Sequence, residues 1–207
     1  MTTVSEAIKK RHSARAFTDR DVDIDTVKSI IQIAKQSPSG VNTQPWNVYV
    51  LSGDARDKLV NEATSRYDQG KMDGQEYLVY PKEMPDWYKE RRRAVGWAMY
   101  GAIGIEKGDT EKMMAQGRKN YEFFGAPVGI FITVKNCVGP NGWGHVGHFI
   151  QNVCLLAIEN GLATCLQEAW AELPKLVREH VDYPEDETLW CGIALGYEDE
   201  TDPVNQF

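Results

Sequence analysis

No apolar run among the 207 residues approaches the about 20 needed to span a bilayer. The start, Met1-Thr2-Thr3-Val4-Ser5-Glu6, lacks the basic flank and apolar stretch of a secretory signal, so a cytoplasmic protein without membrane partners is expected. Cysteine is scarce: Cys137, Cys154, Cys165 and Cys191 stand far apart with no C-x-x-C pair. A chain of this size has no need of disulfide staples, so free, mostly buried thiols are expected. Positive charge is also short. With 23 Lys and Arg against 30 Asp and Glu the net charge is −7, which disfavours general attraction to nucleic acid or anionic membranes. Any phosphate-bearing ligand must then find a local basic cluster. There is no G-x-G-x-x-G or P-loop pattern, so a dedicated dinucleotide domain is not expected. No repeat, low-complexity tract or linker divides the chain, and at 42% hydrophobic residues it reads as one domain, 1–207, around one sizeable core.

What is present alternates between helical and strand patterns. Val4, Ala7 and Ile8 mark a first helix; Val27, Ile30, Ile31 and Ala34 mark a second, capped by Asp23 or Asp25 and stopped at Ser37-Pro38. Trp46 to Ser52 is strand-like and ends at Gly53-Asp54, after which Ala55, Leu59 and Ala63 suggest another helix. Val128 to Val134 is a near-continuous apolar run, as in a strand buried on both faces. Val146, Phe149, Ile150, Val153 and Ala157 form a helical stripe that Gly161 can end, followed by strand-like runs Ala163 to Gln167 and Leu189 to Leu195. The pattern predicts an α+β fold, a sheet flanked by helices, without fixing strand order or direction. Residues 67–108 differ: polar, with Pro81 and Pro85, then rich in aromatics and arginine. They read as an excursion over the core, suited to a lid over a flat ligand or to an interface.

The best basic cluster is Lys9-Lys10-Arg11-His12-Ser13-Ala14-Arg15. Arginine forks and a serine hydroxyl in one short turn can bind a phosphate, although a basic run at a helix C-terminus also serves simply to compensate the helix dipole. A second candidate is the helix-to-strand loop Ser37-Pro38-Ser39-Gly40-Val41-Asn42-Thr43-Gln44-Pro45-Trp46. Its small residues and amides can approach the edge of a heteroaromatic ring, and its composition is equally that of an ordinary connection.

Together these stretches resemble the FMN-dependent nitroreductase family. Arg11, Ser13, Arg15 and Phe17 meet its R-x-S-x-[RK]-x-F pattern, and Pro38 to Trp46 meets P-S-[SG]-x-N-x-Q-P-W. Gly161-Leu162-Ala163-Thr164-Cys165-Leu166-Gln167-Glu168 is similar to its G-L-G-T-C segment, with Ala163 in place of the third letter's glycine. Asn120 with Phe123 to Gly129, and Ala194 to Tyr197 with Pro203-Val204-Asn205, resemble the nitrobenzoate-reductase-like branch. The sequence ends at Gln206-Phe207, where family members often carry a further basic residue, which leaves the phosphate to Arg11 and Arg15.

The resemblance implies a nitroreductase-type mixed sheet flanked by helices in an intertwined homodimer, with FMN bound and NADPH or NADH as donor. It implies that Arg11, His12, Ser13 and Arg15 hold the FMN phosphate and ribityl chain. Pro38, Ser39, Gly40 and Asn42 would reach the pyrimidine side from the partner subunit. Leu166, Gln167 and Glu168 would lie along the flavin ring, with a backbone N–H near Glu168 donating to N5 and no catalytic side chain required. Trp87, Tyr88, Trp97 and Tyr100 would line the place of the electron acceptor, a nitroarene or quinone reduced in ping-pong fashion. Reductive dehalogenation, flavin fragmentation and a flavin-binding module without turnover remain as alternatives. Outside this resemblance, His145-x-x-His148 offers two nitrogens to a metal and Cys165 a thiol nucleophile, neither with a supporting local pattern.

Overall fold

The computed structural model describes residues 2–207. Helix α1, Val4–Lys10, starts from a capping box in which Thr3 accepts from the Glu6 N–H while the Glu6 carboxylate accepts from the Thr3 N–H at 2.7 Å. Only Ala7 of its apolar residues is buried; Val4 and Ile8 point outward. Helix α2, Ile24–Ala34, is capped by Asp23, and buries Val27, Ile30 and Ala34. Strand β1, Trp46–Ser52, has the bounds the sequence predicts, and helix α3, Gly53–Asp68, buries Leu59 and Ala63. Helix α4, Asp86–Ala102, buries no residue at all. Helix α5, Thr110–Arg118, leads into a 3₁₀ segment, Lys119–Gly125. Strand β2 is Val128–Lys135, helix α6 Pro140–Glu159, strand β3 Ala163–Gln167, helix α7 Pro174–Val181 and strand β4 Glu187–Gly196.

The sheet order is β1-β2-β4-β3, and all three pairings are antiparallel. The mixed sheet that the resemblance implies is thus antiparallel among its four strands, and the parallel pairing is the isolated bridge Ser13 to Thr164 beside the β3 edge. Strand alternation sorts the core into two layers. Val128, Ile130 and Ile132 of β2 pack with α2 and α6 on one face, whereas Phe131 faces Leu59, Ala63, Trp170, Leu176 and Val177 on the other.

The excursion begins later than its polar composition suggests, because α3 continues to Asp68. It is tied down by Asp73, whose carboxylate accepts the Lys175 and Leu176 N–H groups at 3.0 and 3.1 Å and so caps α7. Tyr77 donates to the Trp190 carbonyl and meets Trp143 edge-on at 4.9 Å. Beyond these anchors α4 rests against the 3₁₀ turn Pro203–Asn205.

Candidate active site

The N-terminal basic segment leaves α1 extended and runs beside β3. Ala14 N–H donates to Thr164 O at 3.0 Å, and Arg15 N–H donates to Asn205 Oδ1 at 2.7 Å. Asn205 in turn donates to the Ala16 and Asp199 carbonyls, both at 2.9 Å, so one amide fixes three backbone positions. Along an extended chain successive side chains alternate. Ala14 is fully buried, and His12 is bonded to Glu198 at 2.8 Å, in a cleft it shares with Lys10, Arg20 and Tyr197 rather than with Arg11 or Arg15. Of the four residues expected at the phosphate, Arg11, Ser13 and Arg15 alternate with His12 along the segment, and His12 is engaged with Glu198.

The arginines separate clearly by their partners. Arg56, Arg66, Arg118 and Arg178 are half-buried and each is ion-paired to a carboxylate. Arg11 and Arg15 are equally half-buried and have no carboxylate within 4.0 Å among the described residues. Arg15 donates to the Ser13 carbonyl at 3.2 Å and lies 5.4 Å from the Phe207 ring. Two cations partly withdrawn from water without a counter-charge, in an acidic protein, are suited to pair with an anion.

The third motif meets the first at the sheet edge. In β3 the burial pattern breaks at Leu166, which is 42% exposed between buried Cys165 and Gln167. Gln167 Nε2 donates to the Asn120 carbonyl, whereas its Oε1 is buried without a partner. Glu168 then opens a 3₁₀ turn, Glu168–Glu172, whose first N–H groups have no acceptor within the turn. Ala163, standing where the family pattern has glycine, is regular strand. Together with Gln75, Val79, Tyr80 and Asn120, Leu166 to Glu168 line a cleft of about 390 Å3. Tyr80 is a site residue that the sequence pattern did not single out: burial, and then the nearby Glu168 carboxylate, push its phenol up, while Arg92 lies 4.7 Å over its ring. The missed signal was an aromatic just before Pro81, overlooked beside the denser aromatics of α4.

The Pro38 to Trp46 loop lies elsewhere, pinned to α6. Gly40 N–H donates to His145 at 3.3 Å, His148 Nδ1 lies 3.4 Å from the Pro38 carbonyl, and Asn152 donates to Ser37 Oγ at 2.6 Å. A Cβ at residue 40 would stand 3.1 Å from the His145 ring, which would have to give by a few tenths of an ångström. Val41, Asn42 and Gln44 have φ of 44°, 58° and 46°, and Val41 is 98% exposed. A β-branched residue in the left-handed region costs of order 1–3 kcal/mol, so this apex is held in shape against its own preference. None of the loop's hydrogen bonds reaches the Arg11 to Arg15 segment or Glu168.

The four aromatics expected at the acceptor site all fall on α4, as the edge-on pairs Trp87–Tyr88 and Trp97–Tyr100 with centroids 5.7 and 5.8 Å apart. Cys165, the alternative thiol nucleophile, is buried, and that burial pushes it up to about 11, which disfavours the thiolate. The His145 and His148 rings, 6.2 Å apart, are used to hold the loop.

Residues 8–197 match the model of the Nitroreductase family. The chain belongs to that family. This nitroreductase-family chain is 36% identical over 202 residues to a 4-nitrobenzoate reductase of Nocardioides sp. (strain LMS-CY), covering 95% of this chain and 81% of that protein. Its fold is similar to the crystal structure of an FMN and NADPH-dependent nitroreductase NfnB from Sphigopyxis sp. strain HMH, with a TM-score of 0.94 and 38% identity over 99% of this chain and 92% of that one. The FMN-dependent nitroreductase NfnB from Mycobacterium smegmatis, solved in complex with NADPH, gives a TM-score of 0.92 at 29% identity, over 98% and 90% of the two chains.

Proposed function

We propose that this member of the family is an FMN-dependent NAD(P)H oxidoreductase that reduces nitroaromatic and quinone-like small molecules as a homodimer. The observation that carries the reading is the half-buried pair Arg11 and Arg15, without a carboxylate partner among the described residues, on the segment beside β3, the strand that exposes Leu166 and runs into exposed Glu168. These residues fit FMN. Arg11, Ser13 and Arg15 hold its phosphate and ribityl chain by charge-assisted bonds, and His12 braces the segment from behind through Glu198. Leu166 gives the ring an apolar backing, and Gln167 and the Glu168 N–H offer polar groups to its edge. FMN held there supplies hydride transfer from NAD(P)H to the acceptor. The protein's own part is to orient donor and acceptor in turn and to exclude water, with α4 as a lid carrying Trp87, Tyr88, Trp97 and Tyr100. Purified protein that is yellow, bleaches with NADPH and recolours with a nitroarene meets this reading; colourless protein that binds no added FMN refutes it.

Dimerisation completes the site, because Pro38, Ser39, Gly40 and Asn42 reach the pyrimidine side of the flavin from the partner subunit. Supporting this is an apolar face, Val4 and Ile33 with Leu155 and Leu156, which lines a groove of about 330 Å3. Exposed Ile8 belongs to the same helix. Burying such a face drives association at about 25 cal/mol per Å2. Ile33→Glu is expected to give monomers that lose FMN, read by sedimentation with flavin absorbance; a monomer with full flavin content would contradict the shared site.

Side-chain change at the flavin edge is expected to matter little. Glu168→Gln leaves the backbone donor in place, so reduction by NAD(P)H should stay within about tenfold of the parent, less than about 1.4 kcal/mol in barrier. Stopped-flow bleaching measures this directly. Abolished reduction with FMN still bound would make the carboxylate itself catalytic.

A further inference from the structure

One face of α4 carries Lys89, Arg92, Arg93, Gly96, Trp97 and Tyr100, the i, i+3, i+4, i+7, i+8, i+11 positions of a single stripe. With Met84 these residues line a cleft of about 360 Å3. Its cations are poorly compensated. Asp86 and Glu90 are on the same helix, yet Arg92 and Arg93 have no carboxylate within 4.0 Å among the described residues, and Lys89 reaches only the exposed Asp86, at 3.2 Å. The floor of the cleft is Gly96. Glycine in a helix interior is disfavoured relative to alanine, and here no packing demands it, since a Cβ would meet nothing within 4 Å. What the missing side chain leaves is a bare patch of helix between two guanidinium groups and two aromatic rings. The patch adjoins the cleft at the sheet edge, because Arg92 lies over Tyr80 and Tyr80 lies against Glu168.

We propose that this face binds the 2′-phosphoadenosine end of NADPH and thereby selects NADPH over NADH. The inference rests on the oxidoreductase reading above and names the donor of that same site. Guanidinium forks suit a phosphate monoester, and three cations around one cleft match a dianion better than a single carboxylate. Trp97 and Tyr100 supply faces for the purine, and bare Gly96 lets a flat ring come close to the helix. NADH offers a neutral hydroxyl where NADPH offers the phosphate, and leaves these cations without a partner.

The test uses adenosine 2′,5′-bisphosphate and AMP as probes, titrated calorimetrically into the purified protein, with the NADPH-to-NADH ratio of kcat/KM measured alongside. The parent is expected to bind the bisphosphate at least tenfold more tightly than AMP. In Arg92→Gln/Arg93→Gln that preference and the kcat/KM ratio should each fall at least tenfold. Gly96→Leu, which fills the cleft with the charges intact, should weaken both nucleotides. As α4 buries no residue, the variants are expected to keep the parent's circular dichroism and melting temperature. Equal binding of the two probes by the parent, or an unchanged preference in the double variant, would overturn the inference while bleaching by NADPH upheld the oxidoreductase reading. It would also be overturned if the double variant kept its NADPH preference and instead lost only discrimination of 4-nitrobenzoate from nitrobenzene, since the face would then serve an anionic acceptor. Protein without flavin would count against the oxidoreductase reading, and the probe titration would still decide the nucleotide site.

Discussion

Arg11→Ala combined with Arg15→Ala is expected to strip the protein of FMN and leave its fold intact. Each removes charge-assisted contacts worth about 1.5–3 kcal/mol, together about 3–6 kcal/mol, which is roughly a hundredfold to ten-thousandfold in Kd. The fold survives because neither guanidinium is ion-paired to the rest of the chain, and the Arg15 N–H keeps its bond to Asn205 whatever the side chain. Flavin retained after dialysis, together with the melting temperature, measures both halves of the expectation. Unchanged flavin content would remove the anion site from the proposal.

The second large effect is structural and acts directly beneath Glu168. Trp170 is fully buried, stacked on Phe123 at 4.8 Å and meeting Phe131 and Tyr121 edge-on at 5.1 and 5.3 Å. Trp170→Ala leaves a cavity that these rings cannot fill without moving, at about 3–5 kcal/mol. Gly192 of β4 shows how closely the indole is fitted, since a Cβ there would collide with the Trp170 ring. Urea denaturation at fixed protein concentration should therefore show a large fall in midpoint. As the turn Glu168–Glu172 loses its support, flavin reduction should slow as well. A midpoint close to the parent's would mean that the aromatic cluster collapses around the gap.

The parts of the fold that were legible in sequence are those where burial imposes a period. Trp46–Ser52 matches its pattern to the residue, and the stripes of α2 and α6 pick out the residues that pack beneath the sheet. Where no such period exists the pattern was silent or misleading. Helix α4 buries nothing, so no apolar stripe announces it, and its aromatics read as an irregular excursion. Val4 and Ile8 of α1 follow a helical period, yet they face outward, because a period cannot say whether the apolar face meets this chain's core or another surface. At the candidate site, the motif resemblance pointed to Arg11, His12, Ser13 and Arg15. It did not foresee that His12 meets Glu198, 186 residues away, or that Asn205 fixes Arg15 from 190 residues away. Strand direction was equally out of reach, because the apolar content of β2 is the same whichever way its neighbours run.

The bond between Arg15 and Asn205 also orders events during synthesis. Arg11 and Arg15 are synthesised well before Thr164 of β3 and Asn205, the residues that hold their segment in place. Contacts of such sequence separation form only after the intervening chain has been ordered. The nascent protein therefore carries two arginines with nothing to set them against, and on the proposed reading cofactor uptake waits until both distant segments have joined theirs. On the proposed reading, yellow colour in a freshly made sample then reports more than the presence of a ligand: it counts the molecules in which segments 190 residues apart have found one another.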